Sequence, residues 1–326
     1  MTLSTPVALL LFNRPATTAR VFEAIRAARP ARLLVVADGP RADRAGEAEL
    51  CREARSVVDR VDWPCEVETD FSAVNLGCRK RLSSGLDWVF SRAEEAIVLE
   101  DDCLPHPTFF RYCEELLVRY RDDERVMFLS GSNFHFGRRF GPYSYFPSRY
   151  PHVWGWASWR RAWSRYDVTM SRWPELRDQG WPAKAFPRSW VRRFWEQMYE
   201  KTWSGTFDTW DYQLAFACHS SGGLSLTPAV NLVANIGFGP DGTRTRRPNR
   251  FAEMPVEAMT FPLLHPPDLT IQADADRAIE NAQFLVNCLP VRVTRAFWKV
   301  TGLRPGPGPT STGRASGRAP PRSSGG

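Results

Sequence analysis

Continuous apolar runs of strand length alternate with helix-length segments through the first 130 residues of this chain. The predicted strands lie at residues 7–12, 33–37, 65–69, 96–99 and 126–129, and all but the third are apolar throughout. Helical periodicity is found between them, at residues 16–29, 45–61, 78–92 and 109–120. Strands that are apolar throughout and are separated by helices predict a mostly parallel sheet with helices on both faces. We therefore expect an α/β, Rossmann-like fold, in which ligands bind at the carboxyl ends of the strands.

The pattern changes after residue 130. Residues 131–303 are rich in aromatic side chains and less regular, with helices predicted at 188–202, 210–220 and 276–290 and a strand at 230–236. From Arg304 the sequence contains Pro, Gly, Ser and Arg with almost nothing to bury, which predicts a disordered tail over 304–326. We expect 1–130 and 131–303 to be two halves of one domain.

Charge and cysteine content exclude several classes of protein. The formal charge of +7 includes the four Arg of the tail, which has no acid, so residues 1–303 carry only +3. That balance argues against a nucleic-acid-binding domain. The seven Cys form no CxxC pair, which favours a reduced, cytoplasmic protein without structural zinc. No apolar run is long enough to span a membrane, so any association with the inner face of a membrane would be peripheral.

Three acids, Glu100, Asp101 and Asp102, directly follow the fourth predicted strand. Like charges at this density repel one another unless a cation or hydrogen-bond donors compensate. A hard divalent cation with oxygen ligands is one partner, and such an ion would in turn hold a diphosphate. The alternative is a turn with solvated acids.

The acidic motif belongs to a series of segments in a fixed order. Besides Glu-Asp-Asp, they are Leu11–Pro15, Ala37–Arg41, Asn75–Gly77, Trp154–Trp163 and Asn231–Gly239. Over residues 5–250 the chain resembles bacterial GT-A-fold glycosyltransferases (family 2-like, or nucleotide-diphospho-sugar transferases), and its acidic motif resembles that of the N-acetylglucosaminyltransferase I family. The resemblance implies a metal-dependent, inverting transfer of a sugar, GlcNAc being one candidate, from a UDP-linked donor to a glycan or other hydroxyl acceptor. Residues 1–130 would bind the nucleotide sugar, and 131–303 the acceptor.

The resemblance also implies roles for the acids. Asp102 would bind Mn²⁺ (or Mg²⁺), Asp101 would face the ribose or donor sugar, and Glu100 the sugar. Asn13 and Arg14 would recognise base, ribose or phosphate, and Asp38 would accept the N3–H of a uracil. Turn chemistry is the alternative for Asp38, and a solvated loop position for Arg14.

Two further groups complete the expected site. Arg79, in a basic run at a helix start, would contact the diphosphate, although such runs are commonly solvated. Arg244, in the Gly-rich segment after residue 236, would do the same, in a loop that would close over the nucleotide. Trp154 and Trp156 would form a wall for the sugar. The alternative is core packing, with the tryptophans of this segment on a buried helix. We expect His219 to be structural.

An inverting transfer also needs a base for the acceptor hydroxyl. Asp211, in Thr-Trp-Asp-Tyr at the start of a predicted helix, is the candidate, and Asp208 is the reserve. A helix N-cap is the alternative for Asp211. A sugar-phosphate nucleotidyltransferase or a non-catalytic carbohydrate-binding protein would share the sheet. The first would carry a Gly-rich phosphate loop after the first strand, where residues 13–17 have no Gly.

Overall fold

A computed structural model of the chain describes residues 2–238, 251–252 and 254–284. The strands are β1 (Val7–Leu11), β2 (Arg32–Ala37), β3 (Glu66–Phe71), β4 (Glu95–Glu100), β5 (Cys103–Pro105), β6 (Val126–Ser130), β7 (Tyr145–Ser148), β8 (Trp156–Trp159), β9 (Leu224–Pro228) and β10 (Val233–Asn235). The helices are α1 (Pro15–Ala28), α2 (Glu47–Arg55), α3 (Cys78–Arg92), α4 (Thr108–Arg119), α5 (Arg160–Trp163), α6 (Trp173–Asp178), α7 (Trp181–Ala185), α8 (Ser189–Trp203), α9 (Asp211–Ser220) and α10 (Ala273–Ile279).

Eight strands form one sheet in the order β3-β2-β1-β4-β8-β6-β9-β7. Strands β3, β2, β1 and β4 are parallel neighbours, and β6 and β9 are also parallel to each other. Strand β8 is antiparallel to both β4 and β6, and β7 is antiparallel to β9. The fold is thus α/β, with a mixed but mostly parallel sheet, as a Rossmann-like fold requires.

Alternate side chains of the central strands enter two different cores. In β1, Leu9 packs with residues of α1 and α4, whereas Ala8 and Leu10 pack with residues of α3 and α9. Every residue of β1 is buried. This two-sided burial is why the central strands are apolar throughout, and it confirms the predicted helices on both faces.

Strand β8 departs from the sequence prediction. Residues 154–163 were expected to form either a ligand wall or a buried helix. Instead Trp156–Trp159 is a buried strand inserted between β4 and β6, and only Arg160–Trp163 is helical. Trp156 alternates with Ala157 between the two faces of the sheet, so the Trp spacing that fits a helix is met by a strand followed by one helical turn.

The aromatic residues of the second half build a third core. Trp173, Trp195 and Tyr199 are buried there with residues of α8 and α9. In this cluster the Nε2 of His219 donates to the carbonyl of Arg149, and the Nδ1 bonds the Tyr199 hydroxyl. Burial lowers the pKa of His219 to about 3. His219 is therefore a structural group held by two hydrogen bonds, as expected.

Element boundaries differ from prediction mainly outside the central strands. The predicted helix 45–61 is α2 followed by a 3₁₀ turn, Ser56–Arg60. The predicted strand 230–236 is shorter, and as β10 it pairs with β5 outside the main sheet. The predicted helix 276–290 is α10 and a π-helical turn, Glu280–Phe284, and its remainder lies outside the described residues, as does the segment 304–326. Among the helices described, none has the length and apolar character needed to cross a membrane.

Candidate functional site

A cavity of about 610 Å³ opens at the carboxyl ends of β2, β1 and β4. Its walls come from both halves of the chain, since Arg14 and Asp102 face it from the first half and Trp154 and Asp211 from the second. The volume lies within the range of small-molecule sites. The sheet therefore brings four of the expected site residues, two from each half of the chain, around one space.

One guanidinium holds the two acids that follow β4. Arg14 bonds Asp101 Oδ1 through Nη2 and Asp102 Oδ2 through Nη1, the latter at 2.8 Å. Asp101 also accepts the backbone N–H of Phe12 at 3.1 Å. Burial raises the pKa of Asp101 to about 6, with Arg14 opposing the shift. Burial alone would lower the pKa of Arg14, but the charges of Asp101 and Asp102 outweigh it and raise that pKa.

The chain after β10 lies directly on this ion pair. Ile236 donates its backbone N–H to the carbonyl of Asp102 at 2.8 Å, and Gly237 is held by the Asn235 side chain. A Cβ on Gly237 would overlap both Asp102 Oδ2 and Arg14 Nη1. Only glycine lets the backbone pass this close to the pair.

The Asp38 carboxylate accepts hydrogen bonds mainly from the loop that follows β3. Its Oδ1 accepts the N–H groups of Gly39 and Leu76, at 2.9 and 2.8 Å. Its Oδ2 accepts the Asn75 amide and the Gly77 N–H, at 3.0 and 3.1 Å. Burial raises the pKa of Asp38, and these donors oppose the rise. Four donors fill the acceptor positions of the carboxylate, so Asp38 does not match the expected acceptor for a uracil N3–H.

Asn13 turns away from the cavity. Its side-chain amide donates to Glu47 Oε1 at 2.9 Å, and Asn13 is absent from the cavity lining. Glu47 is buried, and hydrogen bonds from Arg41 lower the pKa of Glu47. Glu47 could not be recognised from the sequence, because an acid in the first turn of a helix carries no signal that distinguishes it from a solvated one.

Arg79 differs from its expected role. Its guanidinium donates to the carbonyl of Thr202, and it is not part of the cavity lining. Its backbone N–H, at the start of α3, donates to Asp208 Oδ1 at 3.3 Å. Arg79 therefore joins α3 to the end of α8 and does not face the position expected for a diphosphate. Glu100 does line the cavity.

Asp211 and Asp208 both line the cavity but differ in their contacts. Asp211 is the first residue of α9, and Trp210, not Asp211, is the N-cap. Its Oδ1 accepts the Thr209 hydroxyl and the backbone N–H of Tyr212, so a short loop orients the carboxylate. Asp208, in contrast, receives an N–H from the first turn of α3. Asp208 thus contacts the start of α3, whereas Asp211 accepts an N–H from the first turn of its own helix although Trp210 holds the N-cap position.

The two tryptophans that were expected to form a wall for the sugar lie in different environments. Trp154 lines the cavity, with its ring near Phe238 at a centroid distance of 5.8 Å. Trp156 has no exposed surface and stacks on Phe128, so it is a core residue and the expectation of ligand contact is wrong for it. Gly155 allows close packing on Gly131 and Val233. Arg244 lies outside the described residues.

The acids fit a divalent cation only in part. In the described ranges, no three His, Cys, Asp or Glu side chains are grouped so that they could hold a metal ion by themselves. Asp102 faces the cavity, but Arg14 occupies its Oδ2, while its Oδ1 has the weak Cys103 thiol donor at 3.5 Å. Hard carboxylate oxygens at Asp102 and Glu100 suit Mn²⁺ or Mg²⁺ provided that ligand oxygens complete the shell.

Comparison with known proteins gives little beyond the geometry. No protein-family model matches the chain, and no curated protein matches it. Among solved structures, UDP-glucose pyrophosphorylase complexed with UDP-glucose is similar to it, with 10% sequence identity and a TM-score of 0.25. That match covers 44% of this chain and 62% of the other. A likeness of this size carries no argument about function, which is therefore argued from the site.

Proposed function

We propose that this chain is an inverting glycosyltransferase that moves a sugar from a nucleoside diphosphate donor to a hydroxyl acceptor. The observation that carries the proposal is the shared cavity, in which the Arg14 and Asp102 pair faces the same space as Asp211. The resemblance noted in the sequence favours a UDP-linked donor, with GlcNAc one candidate sugar and a glycan one candidate acceptor. Both substrates would meet between the two halves.

The first half of the chain carries the charged groups that would stabilise the departing diphosphate. When the donor bond breaks, negative charge develops on the departing diphosphate, and fixed cationic groups lower the barrier most where such charge appears. Arg14 is one cation at these strand ends, but Asp101 and Asp102 already offset its charge, so further positive charge is needed beside the diphosphate. A divalent cation at Asp102, if bound, would supply further neutralisation of the same charge. Arg14 is oriented before the ligand arrives, so little reorganisation is needed.

The second half of the chain carries the carboxylate that would deprotonate the acceptor hydroxyl. In a single displacement, the acceptor oxygen forms a bond to the anomeric carbon while the bond from that carbon to the diphosphate oxygen breaks. The acceptor proton passes to a carboxylate, and the electron pair of the broken bond leaves with the diphosphate. Asp211 would take this proton, because it lines the cavity from the second half and Thr209 and Tyr212 fix its Oδ1. A positioned base of this kind contributes about 10²- to 10⁴-fold in rate.

A two-reaction comparison tests the proposal against the nucleotidyltransferase alternative. The purified chain would be given UDP-sugars with hydroxyl acceptors and MnCl₂, and release of UDP would be followed. In parallel it would be given UTP and sugar 1-phosphates, and release of pyrophosphate would be followed. Release of UDP that depends on the acceptor supports the proposal. Pyrophosphate release without transfer would contradict it, and so would a failure of every donor to bind.

A further inference from the structure

The tryptophan-rich segment packs as one series of stacked rings. Trp156 belongs to β8, Trp163 is the last residue of α5, and Tyr166 comes after α5. The ring centroids of Trp156 and Trp163 are 6.5 Å apart, and those of Trp163 and Tyr166 are 4.3 Å apart. The angles between the ring planes are 29° and 12°. Stacking in these geometries fixes the orientation of each ring as well as burying it.

Two contacts anchor this series to other elements. The Nε1 of Trp163 donates to Asp87 Oδ1, in α3, at 2.8 Å. Trp156 stacks on Phe128 of β6 with a centroid distance of 5.0 Å. The series is therefore held both by the sheet and by the helix on this face of it.

The series contacts the residue before Asp211 in two ways. The ring of Trp156 stacks on that of Trp210 with a centroid distance of 6.0 Å. The Tyr166 hydroxyl donates to the backbone carbonyl of Trp210 at 3.3 Å. Trp210 is the N-cap of α9 and lines the cavity. The stacked series therefore holds both the ring and the backbone of the residue that precedes Asp211.

The Tyr166 hydroxyl lies near the Asp211 carboxylate. Burial raises the pKa of Tyr166, and the charges of Asp211 and Asp87 raise it further, while the charge of Arg79 opposes the rise. The hydroxyl therefore keeps its proton at neutral pH and remains a donor to the Trp210 carbonyl.

The position of the Asp211 carboxylate depends on the same short stretch of backbone. Its Oδ1 accepts the Thr209 hydroxyl and the backbone N–H of Tyr212. The Thr209 carbonyl in turn accepts the Gln213 side-chain amide at 2.7 Å, and neither Thr209 nor Gln213 has exposed surface. A displacement of residues 209 and 210 would therefore move the carboxylate of Asp211, while the charged groups of the first half lie on other elements.

We propose that Tyr166 is a positioning residue for Asp211 and that it acts through the carbonyl of Trp210, with the stacked tryptophans as its support. This inference rests on the proposed function, since it takes Asp211 as the group that removes the acceptor proton. It gives a role in the reaction to a segment whose tryptophans, apart from Trp154, are buried away from the cavity.

The test measures the transfer rate in a single turnover, with the UDP-sugar and acceptor that give the fastest release of UDP in the two-reaction comparison. Tyr166→Phe removes only the hydroxyl and keeps the stacked ring. Tyr112→Phe is the matched control, because the Tyr112 hydroxyl also donates to a backbone carbonyl at 3.3 Å, that of Leu226, and Tyr112 belongs to the core on the other face of the sheet. Titration with UDP and a melting temperature accompany each variant.

Trp163→Phe removes the hydrogen bond to Asp87 and disturbs the support of Tyr166 by a second route. It keeps the inference testable if Tyr166→Phe does not fold.

Tyr166→Phe should lower the transfer rate by about 10-fold, because a reacting group misplaced by about 1 Å can cost about 100-fold in rate. Its affinity for UDP should stay unchanged. Trp163→Phe should follow Tyr166→Phe, and Tyr112→Phe should match the wild type. In an Asp211→Asn background, Tyr166→Phe should change the rate by less than about 2-fold, because no carboxylate is left to position.

A wild-type rate in Tyr166→Phe, or in Trp163→Phe if Tyr166→Phe does not fold, would overturn the inference and leave the proposed function standing, provided that Asp211→Asn is slow. An equal loss with and without the Asp211 carboxylate, or a loss that Tyr112→Phe shares, would also overturn it, because Tyr166 would then not act through Asp211. A rate in Asp211→Asn within a few-fold of the wild type would overturn the inference together with the choice of Asp211 as the base. No release of UDP from any donor would overturn the inference and the proposed function together.

Discussion

The guanidinium of Arg14 donates to Asp102 Oδ2 at 2.8 Å while it also bonds the buried carboxylate of Asp101. Two acids that follow one strand are therefore compensated by a base that follows the neighbouring strand, β1. From the sequence alone, a divalent cation is the expected compensation. In the structure an arginine already provides part of it.

Arg14→Met should destabilise the fold, because it leaves the carboxylate of Asp101 buried beside Asp102 with no cation. Removing one partner of a buried pair costs about 3 kcal/mol. Urea unfolding at neutral pH would measure the loss. Arg26→Met is the control, since Arg26 and its partner Asp62 are both exposed, and its unfolding midpoint should stay near that of the wild type. Equal midpoints for the two variants would contradict the pairing described for Arg14.

Asp102→Ala should abolish any metal dependence of donor binding and leave the chain folded. Arg14 keeps its bond to Asp101 in this variant, so the buried charge stays compensated. Titration of UDP with and without MnCl₂ would measure the effect, with circular dichroism as the check on folding. If the variant binds UDP with an undiminished response to MnCl₂, Asp102 is not the metal ligand.

His219 should make the fold less stable in mild acid. Burial lowers the pKa of His219 from 6.5 to about 3, so between these values the unfolded chain binds a proton that the folded chain does not. Its contribution is fully present above pH 6.5 and is lost as the pH falls toward 3. Between pH 7 and pH 5 the loss is about 2 kcal/mol.

The measurement compares urea unfolding of the wild type and His219→Gln at the two pH values. The wild type should lose about 2 kcal/mol more than the variant. Taking the difference removes the carboxyl groups, such as Asp101, whose raised pKa acts in the opposite direction. Parallel losses in the two proteins would show that His219 binds its proton in the folded state.

The central strands could be predicted because burial on both faces forces a continuous apolar run. Val7–Leu11 differs by one residue from its prediction, and Arg32–Ala37 also differs by one. Strand β8 could not be predicted, because Trp156 and Trp159 also fit helical spacing, and only pairing with β4 and β6 selects the extended form. That pairing depends on residues far away in the chain.

The site was predictable at the level of which strand ends carry its residues. Arg14, Glu100, Asp102, Trp154 and Asp211 all line the cavity. The direction of a side chain was not predictable, since it depends on partners from other loops. The Asp38 carboxylate accepts the backbone N–H groups of residues 76 and 77. Glu47 can be recognised as part of this region only from the structure, where Arg41 and Asn13 both donate to it.

The central claim is that Asp211 removes the acceptor proton, and the transfer rate of Asp211→Asn tests it most directly. Asn keeps the shape of the side chain and can still accept the Thr209 and Tyr212 hydrogen bonds. We expect an unchanged melting temperature, unchanged UDP affinity and a transfer rate reduced by about 10²- to 10⁴-fold. Asp178→Asn, at an exposed position, is the control and should match the wild type. A transfer rate in Asp211→Asn within a few-fold of the wild type would contradict the account.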